Sequence, residues 1–185
     1  MKKGFTMIEL IFVIVILGIL ASVAIPRIAG TKEDAEVSAG IANIRTILSD
    51  AASYYAVKGN FNDATGTGSA KWRDITNVPL SKENGDAIDA TVSAVYDGKT
   101  RTYLSVGGKN CLQVGLRYSS TLSGYAAIKP VDTNKDNGAC KTFLATDSIK
   151  QLLNSTLPAS VDQFCTGANN GGMSCVLINS GSVYK

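Results

Sequence analysis

The sequence predicts an α+β fold: one long N-terminal α-helix, packed through its second half on a small antiparallel β-sheet. Three observations carry that prediction. Residues 10–25 hold no charge at all. Beyond them Val37, Ile41, Ile44, Leu48, Ala51 and Tyr55 recur at alternating steps of four and three residues. Past residue 100, short runs of strand-favouring residues are separated by Gly-Gly and Ser-Gly turns. These features divide the chain of 185 residues into a short basic start at 1–4, an apolar helix at 5–25, its amphipathic continuation at 26–58 and a globular part at 59–185. The last is long enough to bury a modest core.

The chain opens MKKGFTMIEL and continues without charge to Ile25. From Phe5 to Ile25 the length matches the ~20 residues a helix needs to cross a bilayer. Three fates are open to such a segment. A cleaved secretory signal would use Lys2 and Lys3 as its basic start and Ser22-Val23-Ala24 as its small-x-small site. Glu9 at the head of the apolar core and Pro26 just past that cut argue against it. A plain single-pass anchor is the second fate. The third is an anchor that stays in the membrane but is cut ahead of it, between Gly4 and Phe5.

Glu9 has a local explanation. Thr6-Met7-Ile8-Glu9 is a capping box, with Thr6 at the N-cap and Glu9 at the third helical position. Phe5 and Leu10 stand where a hydrophobic staple would form. Such a start is worth about 1 kcal/mol with the dipole contribution. A glutamine would complete the same box, so the charge itself calls for a further reason. An acid at a bilayer edge is a functional hypothesis and needs a named partner. The partner expected here is the α-amino group of Phe5 on a neighbouring copy.

Pro26 is expected to kink the helix and not to end it, because the apolar spacing resumes within two turns. The stripe from Val37 to Tyr55 then reads as one buried helix face, with Lys32, Glu33, Glu36, Arg45, Ser49 and Asp50 largely elsewhere. Packing on a sheet explains it better than a self-standing coiled coil, because the spacing stops at Gly59. Lys58-Gly59-Asn60 supplies a glycine terminator with a cation in the last turn. A helix continuous over this span would be on the order of 75 Å long at 1.5 Å per residue. Such a rod outruns a domain of this size, so its first half belongs in lipid or among other copies of itself.

In the globular part, 61–70 reads as a loop rich in Gly, Thr, Asn and Asp. The stretch 72–100 is ambiguous, and 86–96 stays open between a short helix and a strand. Strand signals follow at 102–106, 111–117 and 125–131, the pattern of an antiparallel meander with one face on the amphipathic helix. A short helix is expected at 146–154, with Ser148 and Gln151 as a second capping box. A weak alternation at 176–184 suggests a returning strand.

Composition excludes several chemistries. The chain has no histidine, which removes Ser/His/Asp and Cys/His catalysis and histidine zinc sites. An enzyme would need a carboxylate or serine–lysine site, and no pair stands out. Net charge is +3 with no basic stripe, so DNA is not indicated as a partner. The four cysteines contain no C-x-x-C pair. Two disulfides in an oxidising compartment are expected, paired by nearness as Cys111–Cys140 and Cys165–Cys175. Lys2 and Lys3 on one side of the apolar helix nearly balance Arg27 and Lys32 on the other. The disulfides break that tie, placing the C-terminal part on the oxidising side and the first residues in the cytoplasm.

One stretch has cation chemistry. Asp132, Asn134 and Asp136 begin like an EF-hand loop, with oxygen side chains on alternate residues. Asn137 then replaces the required glycine and Phe143 stands where a bidentate Glu would close the shell. A plain turn built of good turn residues explains the same stretch. No cofactor is otherwise called for; calcium at these three residues and the simple turn both stand.

The start MKKG|FTMIEL resembles the type III signal of prepilins: a short basic leader, a glycine before the cut, then an aromatic residue. The resemblance implies a pilin-like fold, cleavage after Gly4 by a membrane-embedded prepilin peptidase, and N-methylation of the new Phe5 amine. Glu9 matches the acid characteristic of that family, and Gly18 and Pro26 match its helix-weakening positions. The match covers about the first 55 residues; the remainder agrees in general architecture only. It implies a structural subunit, pilin or pseudopilin, that polymerises through its N-terminal helix into a type IV pilus or type II secretion pseudopilus. The partners implied are further copies in a helical filament, the membrane before assembly, the peptidase, and the pilus or secretion assembly machinery. The implied location is the inner membrane, single-pass, with the C-terminal part periplasmic and the assembled filament periplasmic or at the cell surface. Some type II secretion pseudopilins bind calcium in their C-terminal region, which bears on Asp132. Pilus, pseudopilus and DNA-uptake filament are not separated by these residues. A membrane-anchored periplasmic binding module is the alternative from another class.

Overall fold

The computed structural model describes residues 5–61, 69–89, 92–95, 101–119, 123–131, 138–155, 165 and 173–178, side chains of 25–29, 118–119 and 123 apart. Helix α1 runs Met7–Lys58, followed by α2 (Trp72–Ile75), β1 (Thr102–Val106), β2 (Lys109–Ser119) and β3 (Ser123–Pro130). Helices α3 (Ala139–Ala145) and α4 (Asp147–Leu153) precede β4 (Ser174–Leu177). The chain divides into two compact units, Met1–Ala35 and Glu36–Lys185, and α1 contributes to both.

In the first unit α1 is apolar on every side from Leu10 to Ala24, and Pro26 lies within the helix without ending it. Ser22 is the one hydroxyl between Met7 and Ala24. It turns its Oγ back to donate to the Ile19 carbonyl at 2.7 Å, so it brings no unsatisfied polar group to an apolar surrounding.

In the second unit the predicted stripe is buried. Val37, Ile44, Leu48 and Ala51 lie in the core, with Ile41 and Tyr55 packed at its margin. The buried face is wider than the stripe, because Ile47 is also fully buried. Gly40 completes that face. A Cβ built there would lie 2.7 Å from Val106 Cγ2 and 3.2 Å from the Phe143 ring, so α3 and β1 close on bare helix backbone. The helix stops as expected: Gly59 adopts φ +69° and donates its N–H to the Tyr55 carbonyl at 2.7 Å.

The sheet is an antiparallel meander in the order β1-β2-β3-β4. Gly107 and Gly108, at φ +61° and +75°, make the two-residue β1–β2 turn that positive φ requires. Alternation sorts the side chains. Leu104, Leu112, Val114, Leu116, Ala126 and Ile128 face α1 in the main core, joined by Cys140, Phe143, Ile149 and Leu152 of the two short helices. Tyr125, Ala127 and Cys175 belong to a second, smaller cluster with Cys165 and Met173, so the meander has apolar cover on both faces. Ala127 is the register partner of Cys175.

The ambiguous stretch 72–100 has an answer where it is described. Trp72–Ile75 forms one helical turn; isolated bridges tie the described segment to itself, Lys71 with Ser93 and Ser81 with Ala87, and to the sheet, Ser81 with Tyr103 and Val95 with Leu116. Within 86–96, the described residues form neither a helix nor a continuous strand. Phe61, expected at the start of a loop, is buried core stacked 6.3 Å from Tyr54.

Two expectations are corrected. The second capping box does not form: Thr146 is the N-cap of α4 without a side-chain cap bond, and Ser148 instead accepts from Arg45 Nη2 at 3.4 Å. The returning strand begins at Ser174, before 176, and ends at Leu177; residues 179–184 lie outside the described part. Helix α3 was not anticipated.

Candidate functional site: the head of the N-terminal helix

The first turn of α1 is built by residues three apart. Thr6 donates its backbone N–H to Glu9 Oε2 at 2.8 Å and its hydroxyl to the same oxygen at 2.7 Å. In return Glu9 donates its N–H to Thr6 Oγ1 at 3.4 Å. Both halves of the capping box are therefore made, and the first helical hydrogen bond runs from Leu10 N–H to the Thr6 carbonyl at 3.3 Å. A carboxylate at this place also opposes the positive end of the helix dipole. The expected staple buries little of its aromatic member, since Phe5 is 88% exposed.

From this head, Met7–Ala24 is an 18-residue stretch apolar and long enough to cross a membrane, and none of it is buried inside the protein. A methyl added at Gly18 would meet nothing within 4 Å, so packing within the chain does not demand glycine there. What the glycine supplies is a weaker helix, by about 1 kcal/mol relative to alanine. Pro26 lacks the N–H that would reach the Ser22 carbonyl, the helix partner four residues back. Gly18, Ser22 and Pro26 are spaced by fours and so share one face of the helix, a pattern that the sequence shows only when Ser22 is counted with the other two.

Elsewhere, the structure holds both cysteine pairs expected from nearness, Cys111–Cys140 and Cys165–Cys175. Their Cα atoms stand 5.3 and 5.4 Å apart. Gly4 lies outside the described residues, as do Asp132, Asn134 and Asp136. Among the described residues no three metal-ligating side chains cluster.

Comparison with known proteins points to the same end of the chain. A family model described as the prokaryotic N-terminal methylation motif matches residues 1–25. The type II secretion system core protein G of Vibrio cholerae is 33% identical over 115 residues, 61% of this chain and 77% of that protein. The core protein G of Aeromonas hydrophila is 41% identical over 59 residues, 32% of this chain and 41% of that protein. That of Escherichia coli is 34% identical over 67 residues, 36% of this chain and 46% of that protein. The chain thus spans less than half the length of the Aeromonas hydrophila and Escherichia coli proteins. No solved structure matches.

Proposed function

We propose that this chain, which belongs to the type IV pilin-like pseudopilin family, is a structural subunit that polymerises through α1 into a filament of a type II secretion system. Membership rests on the methylation motif and on the Vibrio cholerae relative. The family is structural, and the subunit's work is assembly. The observation that carries the proposal is a capped, membrane-length apolar helix that finds no burial inside its own chain.

Such a surface needs an apolar partner. Before assembly that partner is lipid, and the single apolar helix fits a single-pass inner-membrane protein. After assembly it is the same helix of other copies, held by close packing. A head-to-tail contact that repeats along an axis gives an open helical filament. In this reading a prepilin peptidase cuts between Gly4 and Phe5, the Phe5 amine is methylated, and that amine pairs with Glu9 of the next subunit to fix the register. The oxidised cysteine pairs support a periplasmic C-terminal part.

Processing is the first step to test. Gly4→Leu should leave the precursor at its full mass when coexpressed with a prepilin peptidase, while the natural chain loses its first four residues. An unchanged processing pattern in Gly4→Leu would defeat the assignment of the cut.

A further inference from the structure

The two disulfides are embedded in unequal surroundings. Cys111 and Cys140 both belong to the main core, and each sits on an element that the core holds independently. Strand β2, which carries Cys111, is paired on both sides, by β1 and by β3. Helix α3, which carries Cys140, seats the fully buried Phe143 against Gly40 of α1. The backbone of Cys111 also accepts the Val131 N–H at 3.0 Å, closing the end of β3 onto the same residue.

Cys165 and Cys175 lie on the opposite face of the sheet. Among the described residues they share the small buried cluster with Tyr125, Ala127 and Met173. Cys175 is held by β4. Cys165 and Met173 belong to no helix or strand. One sulfur of this pair is therefore carried by the sheet, while the other sits outside any helix or strand and is held in the small cluster.

We propose that Cys165–Cys175 is a redox-sensitive fastening: its reduction releases the outer cluster and leaves the main core folded. The strength of a disulfide follows the effective concentration of its two thiols in the reduced protein. Cα separations are nearly the same at the two bonds, so local spacing does not rank them. Chain statistics favour Cys165–Cys175, with a sequence separation of 10 against 29, by about fivefold. That advantage applies to thiols on free chain. At Cys111 and Cys140 the packed core holds both thiols in place after reduction, which raises their effective concentration well beyond a chain-statistical value. The outer bond is then the weaker of the two.

The exchange balances with a dithiol reductant. Its thiolate attacks one sulfur of the pair and displaces the other as a thiolate, giving a mixed disulfide. The second reductant thiol attacks that bond and leaves as the oxidised, cyclic disulfide. Two electrons and two protons have then passed to the protein, which carries two thiols.

The test uses purified full-length protein in detergent micelles, equilibrated in graded mixtures of reduced and oxidised dithiothreitol. Free thiols are alkylated and located by mass spectrometry, Tyr125 is probed by iodination, and Trp72 emission reports the main core. Cys165 and Cys175 should be alkylated at about tenfold less reducing mixtures than Cys111 and Cys140. At that first step Tyr125 should become reactive while Trp72 emission stays unchanged. The double variant Cys165→Ser with Cys175→Ser should show the same reactive Tyr125 without reductant. The inference fails if both pairs reduce together, if Cys111–Cys140 reduces first, if Tyr125 stays unreactive, or if Trp72 emission changes at the first step. It does not depend on filament formation.

Discussion

Trp72 donates its indole N–H to Thr102 Oγ1 at 3.0 Å, inside a core that excludes water from both residues. The Thr102 hydroxyl passes the bond on, donating to the Val114 carbonyl at 2.5 Å. A single side chain thus links α2, β1 and β2, and the only tryptophan of the chain reports on it. Thr102→Val keeps the shape and strands the buried indole donor. It should cost about 1–3 kcal/mol in chemical denaturation followed by Trp72 emission. Thr102→Ser, which keeps the hydroxyl, should lose less; equal losses would show that packing rather than the bond matters.

Gly40 is a packing glycine, whereas Gly18 is not. Gly40→Ala pushes a methyl against Val106 and Phe143 and should destabilise by about 1–3 kcal/mol. The gain in helix propensity, up to about 1 kcal/mol, works against that loss and should not outweigh it. A thermal melt showing Gly40→Ala to be more stable would remove the close-approach account of α3. Gly18→Ala should leave the melting of the globular part unchanged.

At the head of α1, cap and charge are separable. Thr6→Val removes the hydroxyl that exchanges bonds with Glu9 and should loosen the first turn by about 1 kcal/mol. Glu9→Val should still enter the membrane and still be processed, yet fail to join filaments. Glu9→Gln keeps the box without the charge, so it isolates the register role. Filaments of normal length from Glu9→Gln and Glu9→Val, counted by electron microscopy, would end that role.

One ion pair sets an alkaline limb. Lys82 Nζ donates to Asp89 Oδ2 at 2.8 Å, and this bond, then the charge of Asp89, raises the lysine above its ordinary value of 10.5. A raised lysine contributes stability that is fully present at neutral pH and is lost as pH climbs through its folded-state value. Both side chains are about half exposed, so the effect is small and screened by salt. Lys82→Met should melt slightly lower than the natural chain at pH 8, and the two curves should converge in strong alkali. A constant gap across the alkaline range would assign the difference to something other than this charge.

Local features were the ones the sequence made legible. The Thr6–Glu9 box spans three residues and needs nothing from elsewhere, and the stripe from Val37 to Tyr55 repeats often enough to define a face. Ile47 escaped because a helix lying in a concave core buries more than one row. Helix α3 escaped for a different reason: seven residues are too few to show a period, and Gly138 gives no side-chain cap. Ser148 misled because Thr146, two residues earlier, already holds the cap of α4. The stretch 72–100 was unreadable because its bonds go to distant chain, Ser81 to Tyr103 and Val95 to Leu116, and no local pattern encodes such partners. The cysteine pairs followed simple nearness, since meander and short helices bring sequence neighbours together.

The bridge between Ser81 and Tyr103 has a consequence for crowding. Ser81 N–H bonds the Tyr103 carbonyl and Tyr103 N–H bonds the Ser81 carbonyl, each at 2.9 Å. Those are the groups that the outermost strand would otherwise offer to a foreign strand. Many identical copies confined to one membrane would meet sheet edge to sheet edge, the geometry from which cross-β stacks grow. With the centre of the β1 edge already occupied by its own chain, adhesion between copies is steered away from that edge.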